Sequence, residues 1–276
     1  MTKVTILFWF VILLTISLDS YAANDNRQTG ARSEGMGNAS VGLSDAWSSF
    51  NNQAGLAMLP ELSVAISYHN AFLIKNLGIN SICAILPGRI GTFSINYAGA
   101  GSSIIREHKA GLSYSKKFGP AFSAGLQFSY VMMEFPEEGK LKGVLLPEGG
   151  IIYQIAPEWN LGVHLFNPFQ QGYHLVSGDD KIPTIFKVGC SGNIHNDFTL
   201  SFEVEKDLRF DAIIKAGMEY RVRETFFFRG GFNHRPGIFS LGFGYQKSQI
   251  KADLAFSHHG NLGYSPTVSI AYQFRK

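Results

Sequence analysis

The chain has 276 residues, a net charge of +3 and only 16% charged residues, below the roughly one quarter that is usual for a soluble domain. Lysine and arginine are scattered rather than clustered, which predicts no nucleic-acid partner. After the N-terminus no apolar run reaches the roughly 20 residues that a membrane-spanning helix needs.

Residues 1–22 are predicted to be a secretion signal peptide. Lys3 supplies the positive start, and residues 6–16 form an apolar core that is too short to span a membrane. The small residues of 20–22 predict cleavage after Ala22, with Ala23 as the alternative. An uncleaved membrane anchor is the competing interpretation. No cysteine follows the apolar core, so a lipid anchor is not expected.

Residues 23–60 lack the alternation of a strand. Residues 30–37 are rich in glycine and small side chains, and Asp45 is placed to cap a short helix that carries Trp47 and Phe50 on one side. The Gly-x-Gly at positions 35 and 37 lacks the preceding strand and βαβ unit that a nucleotide-binding loop requires.

The same segment resembles the N-terminal signature of FadL-like and PorV/PorQ-like outer-membrane barrels. The matching runs are Gly30-Ala31-Arg32, Met36-Gly37-Asn38-Ala39, Asp45-Ala46 and Asn52-Gln53-Ala54-Gly55-Leu56. Gln53 stands where these families usually have proline, which weakens any expectation about the local backbone bend. In relatives this segment folds inward and partly plugs the barrel. The resemblance therefore implies a plug over residues 23–60, with Gly30, Ala31, Arg32, Met36, Gly37, Asp45, Asn52 and Gly55 as its motif.

From residue 61 to 276 the pattern predicts an all-β fold, a transmembrane antiparallel up-and-down barrel of about fourteen strands. Side chains alternate with period two, as where Phe122, Leu126 and Phe128 oppose Ser123 and Gln127. The predicted strands are 62–70, 77–86, 91–98, 109–118, 121–133, 147–155, 159–167, 184–193, 197–206, 212–222, 225–233, 237–246, 249–257 and 264–274. Each is near the roughly 9–11 residues that a tilted strand needs to cross a bilayer.

The connections are predicted to alternate between tiny turns and longer loops, with the turns facing the periplasm. The longer loops are expected at 99–108, 134–146 and 168–183. Several of the loop residues are apolar, and they either form an outer groove for a hydrophobic ligand or cap the barrel. They are Phe72, Leu73, Ile104, Ile105, Leu145, Leu146, Phe166 and Phe169.

The last strand carries Tyr272 and Phe274 on its apolar face and is predicted to be the strand that the barrel-assembly machinery recognises. Together with the signal peptide it predicts a location in the outer membrane of a Gram-negative bacterium, with membrane lipid as a partner.

Charged residues fall in the inward phase of several strands. Opposite charges on neighbouring strands can pair, so we favour a salt-bridged, filled lumen over a polar conduit with a selectivity ring. The predicted lumen charges are Glu203, Glu205, Lys215, Glu219, Arg229, Lys251 and Asp253.

No catalytic, metal or cofactor site is predicted. His234, His258 and His259 lack further ligands at metal-binding spacing, and no Gly-x-Ser-x-Gly elbow is present. The two cysteines, Cys83 and Cys190, are interpreted as unpaired residues within strands, although pairing in an oxidising compartment is the alternative.

Two functions remain open. The PorV/PorQ-like hypothesis is a non-enzymatic component of type IX protein secretion or surface attachment, with secretion-system or cargo proteins as partners. It is favoured because residues 182–189 resemble the Leu-Pro-x-x-x-Arg-x-Gly start of a strand in that family, and because Met36-Gly37 also fits that family slightly better. The alternative is a FadL-like passive transporter of a small hydrophobic molecule, for which a lumen filled with paired charges would be unfavourable.

Overall fold

The computed structural model describes residues 29–102, 104–136, 139–175 and 178–274, so the predicted signal peptide lies outside the described residues. Fourteen antiparallel strands close into a barrel. Each strand pairs with its neighbours along the chain, and the first and last strands pair with each other to complete the ring. The predicted up-and-down barrel of fourteen strands is confirmed.

The barrel strands are β1 Leu62–Asn70, β2 Gly78–Pro87, β3 Thr92–Gly101, β4 Arg106–Phe118, β5 Phe122–Phe135, β6 Lys140–Ala156, β7 Trp159–Phe166, β10 Ile185–His195, β11 Phe198–Asp207, β12 Ile213–Val222, β13 Phe226–Asn233, β14 Ile238–Lys247, β15 Ile250–His259 and β16 Gly263–Phe274. A separate two-stranded hairpin, β8 Gly172–Leu175 with β9 Gly178–Lys181, interrupts the connection between β7 and β10.

Helical segments are few and short. Before β1 the chain forms the α-helices Ala31–Gly35 and Ser48–Asn51 and the 3-10 helix Gln53–Met58. Two 3-10 turns, Ala71–Leu73 and Lys75–Leu77, connect β1 to β2. Within the described residues, no helix combines the length and the apolar character that crossing a membrane demands.

The outside of the barrel is apolar and the inside is polar. Leu126 and Phe128 of β5 are 68% and 59% exposed, whereas Gln127 between them is 1% exposed. The same alternation recurs on strand after strand, because successive side chains point to opposite faces of a sheet. A continuous exposed apolar wall around a closed barrel is covered by lipid, so the barrel spans a membrane.

The two rims differ. One rim, called here the short-turn rim, carries only turns of two to four residues, at 88–91, 119–121, 157–158, 196–197, 223–225 and 248–249. The opposite rim, called the long-loop rim, carries the longer connections 71–77 and 167–184 beside shorter ones at 102–105, 136–139, 208–212, 234–237 and 260–262. The long loops predicted at 99–108 and 134–146 are wrong, since the strands remain paired up to Gly101 with Arg106 and Phe135 with Lys140.

The β5–β6 hairpin extends beyond its predicted end. β6 has 17 residues, more than the roughly 9–11 that cross a bilayer. Pro147 made this stretch resemble a loop, but it lies just beyond the last pair with β7, Glu148 with Phe166, and a strand edge tolerates proline. Leu146 and Phe166, predicted on loops, are therefore strand residues buried inside the barrel.

Residues 29–60 lie inside the barrel. The helix Ala31–Gly35 packs against β13 to β16, and the 3-10 helix Gln53–Met58 packs against β3 to β6. These two groups of strands face each other across the ring, so a segment that contacts both crosses the interior. Asp45 accepts a hydrogen bond from the Trp47 amide at 2.8 Å just before the helix Ser48–Asn51, close to its predicted capping role.

Candidate functional site

A chain of alternating charges ties the N-terminal segment to the wall. Arg32 donates through Nε and Nη2 to Glu219 at 3.0 and 2.7 Å and through Nη1 to Asp45 at 3.0 Å. Arg229 then donates to Glu219 at 2.6 Å and to Asp253 at 2.8 Å. Five residues singled out in the sequence thus form one connected network, near the short-turn ends of β12 and β13.

A second group of charges holds the backbone of the segment. Glu203 accepts hydrogen bonds from the amides of Ser40 and Val41 at 2.9 and 2.8 Å. Lys215 donates to Glu203 at 3.1 Å and to Glu205 at 2.7 Å. A carboxylate that is neutralised by a lysine can therefore also fix two backbone donors of the segment.

Lys251 is the last of the predicted lumen charges. Its ammonium lies 5.3 Å from the centre of the Phe227 ring, within the range of a cation–π contact. All seven predicted charges face the interior, and six of them take part in the ion pairs described above.

The wall makes room for the segment at two glycines. A Cβ on Gly217 would lie 2.3 Å from the Met36 carbonyl oxygen, and one on Gly231 would lie 2.0 Å from the Gly37 nitrogen. Gly37 itself has a φ of +63°, a conformation that favours glycine. The backbone at Met36 and Gly37 therefore rests directly on β12 and β13.

The other motif residues fix the segment internally. Asn52 donates through Nδ2 to the Val41 carbonyl at 2.7 Å and accepts through Oδ1 from the Ala54 amide at 3.2 Å. Gly30 packs against the Trp47 ring, Gly55 packs against Ser48, and the Ala31 amide donates to Ser269 of β16 at 3.2 Å.

Gln53 belongs to a buried polar network that the sequence analysis missed. Its Oε1 lies 3.2 Å from His164 Nε2, and the same nitrogen lies 3.4 Å from Glu148 Oε2. Glu148 also pairs with Lys109 at 2.8 Å and accepts from Gln127 at 2.8 Å. The signal was available, because Glu148 and His164 fall in the inward phase of two predicted strands.

A cavity of about 430 Å³ occupies part of the barrel between the N-terminal segment and the long-loop rim. Thr29, Gly30, Glu34 and Asn38 of the segment line it on one side. Its volume lies within the roughly 300–1,000 Å³ of small-molecule sites. Six large apolar side chains, from the wall and from the connections 71–77 and 208–212, also line it, namely Phe72, Ile79, Ile185, Phe210, Ile213 and Ile238.

A groove of about 390 Å³ lies on the outer face of β1, β2 and β16. Exposed side chains such as Ile66, Tyr68 and Ile82 line it. Ser67 and Ser81 border both this groove and the interior cavity. The two spaces therefore lie back to back, separated by one thickness of sheet.

Beside the cavity, the barrel interior near the long-loop rim contains an apolar cluster, which lies under the connection 167–184. It consists of Val131, Met133, Leu146, Phe166, Tyr173, Ile182 and Ile185. Asn167 holds this connection in place, with a φ of +51° and a fully buried side chain that donates to the carbonyls of Gln171 at 3.0 Å and Ile182 at 2.9 Å.

The remaining predicted residues lie elsewhere. Cys83 faces the interior, whereas Cys190 pairs with the outward residues Leu161 and Phe202, so the two thiols lie on opposite faces of the sheet and both are free. Tyr272 and Phe274 stack 4.7 Å apart on the outer face of β16. Among the described residues, no group of three metal-ligating side chains comes together.

No family model and no curated protein matches the sequence of this chain. The fold is shared with solved structures. A CymD monoaromatic hydrocarbon channel superposes with a TM-score of 0.68 at 13% identity, covering 90% of this chain and 98% of that one. The toluene transporter TbuX of Ralstonia pickettii gives 0.66 at 12%, covering 91% and 99%. A Pseudomonas aeruginosa FadL homologue gives 0.61 at 12%, covering 90% and 99%.

At such low identity the likeness shows the fold alone, which is that of FadL-type channels.

Proposed function

We propose that this chain is a non-enzymatic outer-membrane transporter of a Gram-negative bacterium that admits a small, largely apolar molecule. The observation that carries the proposal is the cavity of about 430 Å³ set back to back with an outer groove in the barrel wall. A fold shared with hydrocarbon channels supports it.

The short-turn rim is taken to face the periplasm, as in outer-membrane barrels generally. Residues 29–60, the described part of the plug predicted over 23–60, then act as a plug below the cavity. A route straight through the barrel would have to separate the buried pair of Arg32 with Glu219 and the bonds from Glu203 to the Ser40 and Val41 amides. Breaking a buried ion pair typically costs about 3–5 kcal/mol, so this direction is unfavourable.

The route therefore leaves through the side wall at Ser67 and Ser81, whose side chains are small and face inward, so that only the backbone of the sheet separates the cavity from the lipid-facing groove. The ladder between β1 and β2 is continuous at this place, with Ser67 paired to Ser81. Passage thus requires that the pairing of β1 with β2 opens transiently at this place, with the freed backbone groups facing the polar side chains of the cavity rather than lipid.

The test is uptake of radiolabelled propylbenzene by intact Gram-negative cells that produce the protein. We expect faster uptake than in cells without it, and loss of that gain in Ser67→Trp and Ser81→Trp variants, whose indoles obstruct the wall. Leu241→Trp, on the exposed outer face of β14, is the matched control and should behave as wild type. Equal uptake with and without the protein would refute the proposal.

The type IX secretion role stays a prediction that rests on residues 36–37 and 182–189. It predicts that deletion leaves secreted proteins in the periplasm or loose from the surface. Unchanged secretion in the deletion strain would eliminate it.

A further inference from the structure

The cavity carries an excess of negative charge. Its lining contains four carboxylates, Glu34, Glu205, Asp207 and Asp211, and Lys215 is the one lysine or arginine among its lining residues. This balance distinguishes the cavity from a purely apolar pocket.

Three of these carboxylates already have cationic partners. Glu205 accepts from Lys215 at 2.7 Å, and Asp207 pairs with Arg209 at 2.9 Å. Asp211 pairs with Arg235, whose hydrogen bond keeps the pKa of Asp211 below its ordinary value.

Glu34 differs from the other three. It is only 8% exposed, yet within the described parts of the chain it has no ion pair. Its hydrogen-bond partner is the side-chain amide of Asn38, which donates at 3.1 Å. A buried carboxylate is unfavourable without a cation nearby, so a ligand that supplies one gains a charge-assisted bond there.

We propose that the cavity selects small amphipathic cations, with an apolar body against Phe72, Ile79 and Ile213 and a protonated amine on Glu34. This inference rests on the proposed transport function and names its ligand class. An anionic ligand is excluded by the same lining, because it would meet the unpaired carboxylate of Glu34, and Lys215 is already bound by Glu203 and Glu205.

The test compares three probes of similar shape by calorimetry on the purified full-length protein in detergent at pH 7: 3-phenylpropylamine, propylbenzene and 3-phenylpropionate. We expect the amine to bind at least about tenfold more tightly than propylbenzene, because one charge-assisted hydrogen bond contributes a difference of that size. In Glu34→Gln this advantage should disappear while propylbenzene binding stays within about twofold. Glu158→Gln, at the short-turn rim, is the control and should keep the full preference.

The outcomes separate the two proposals. If propylbenzene binds and the amine binds no better, or if Glu34→Gln keeps the full preference, the amine inference is wrong and the transport proposal stands. If no probe binds, both proposals fail. Should Glu34→Gln not fold, as judged by heat-modifiable gel migration, the order of the three probes on the wild-type protein decides the question.

Discussion

Arg32 and Glu219 form a two-pronged ion pair, with N–O distances of 3.0 and 2.7 Å, although they lie 187 positions apart in the chain. Both side chains are largely buried, at 13% and 6% exposure. Two parallel charge-assisted hydrogen bonds fix direction as well as distance. This single contact therefore joins the N-terminal segment to the barrel wall in one orientation.

Replacing Arg32 by methionine should destabilise the barrel by about 3–5 kcal/mol, because Glu219 and Asp45 lose a buried cation. The measurement is the temperature at which the folded protein unfolds in detergent, read from gel migration. Arg221→Met is the control, since its pair with Asp197 is 38% and 44% exposed and should contribute no more than about 1 kcal/mol. Equal transition temperatures for the two variants would contradict the anchoring role.

Gly231→Ala should lower stability by about 1–3 kcal/mol, because the new methyl group would lie 2.0 Å from the nitrogen of Gly37 and force the segment away from the wall. Its neighbour provides the control. A Cβ on Gly230 faces outward and meets Met218 at an ordinary 3.7 Å, so Gly230→Ala should be neutral or stabilising by about 0.5 kcal/mol. Urea unfolding of both variants gives the comparison, and a larger loss in Gly230→Ala would rule out this packing.

Gln53→Pro introduces the proline that the N-terminal signature resembled by this chain usually has at this position. The backbone should tolerate it, since position 53 opens a 3-10 helix and Asn52 before it is extended, with φ −163° and ψ 105°. The side-chain bond to His164 is lost, however, and leaves a buried polar group, so we expect a loss of about 1–3 kcal/mol. The same change in a His164→Leu background should cost clearly less; an identical cost in both backgrounds would show that the bond is not responsible.

Asn167 provides a test of the connection 167–184. Asn167→Gly tolerates the positive φ but removes the side-chain hydrogen bonds to Gln171 and Ile182. Asn167→Ala removes the same bonds and, in addition, places a β-carbon on a residue whose positive φ disfavours one. Limited proteolysis within 168–184 should therefore accelerate in the order wild type, glycine, alanine. If the alanine variant were cleaved no faster than the glycine variant, the positive φ would not contribute.

Much of the barrel could be predicted from the sequence because each strand obeys a local rule, the alternation of side chains between lipid and interior. Phe128 and Gln127 follow it without reference to any other strand. The rule fails to locate strand ends, as at Pro147, because a proline at an unpaired edge looks the same in sequence as a proline in a loop.

The interior could be predicted only in part. Glu203 and Lys215 lie on adjacent strands, so their pairing follows from barrel order. The partner of Arg32 does not follow from any local rule, because it depends on how the N-terminal segment crosses the ring. That Glu34 lacks an ion pair could not be predicted for the same reason, since its surroundings are set by strands far along the chain.

The segment 29–60 bridges opposite walls of a closed barrel of fourteen strands. A barrel of roughly eight strands is filled by its own side chains, whereas fourteen strands enclose a much wider interior. A cell carrying a version without this bridge would face an open, water-conducting leak, with the permeability to salts and large polar antibiotics that the intact envelope prevents.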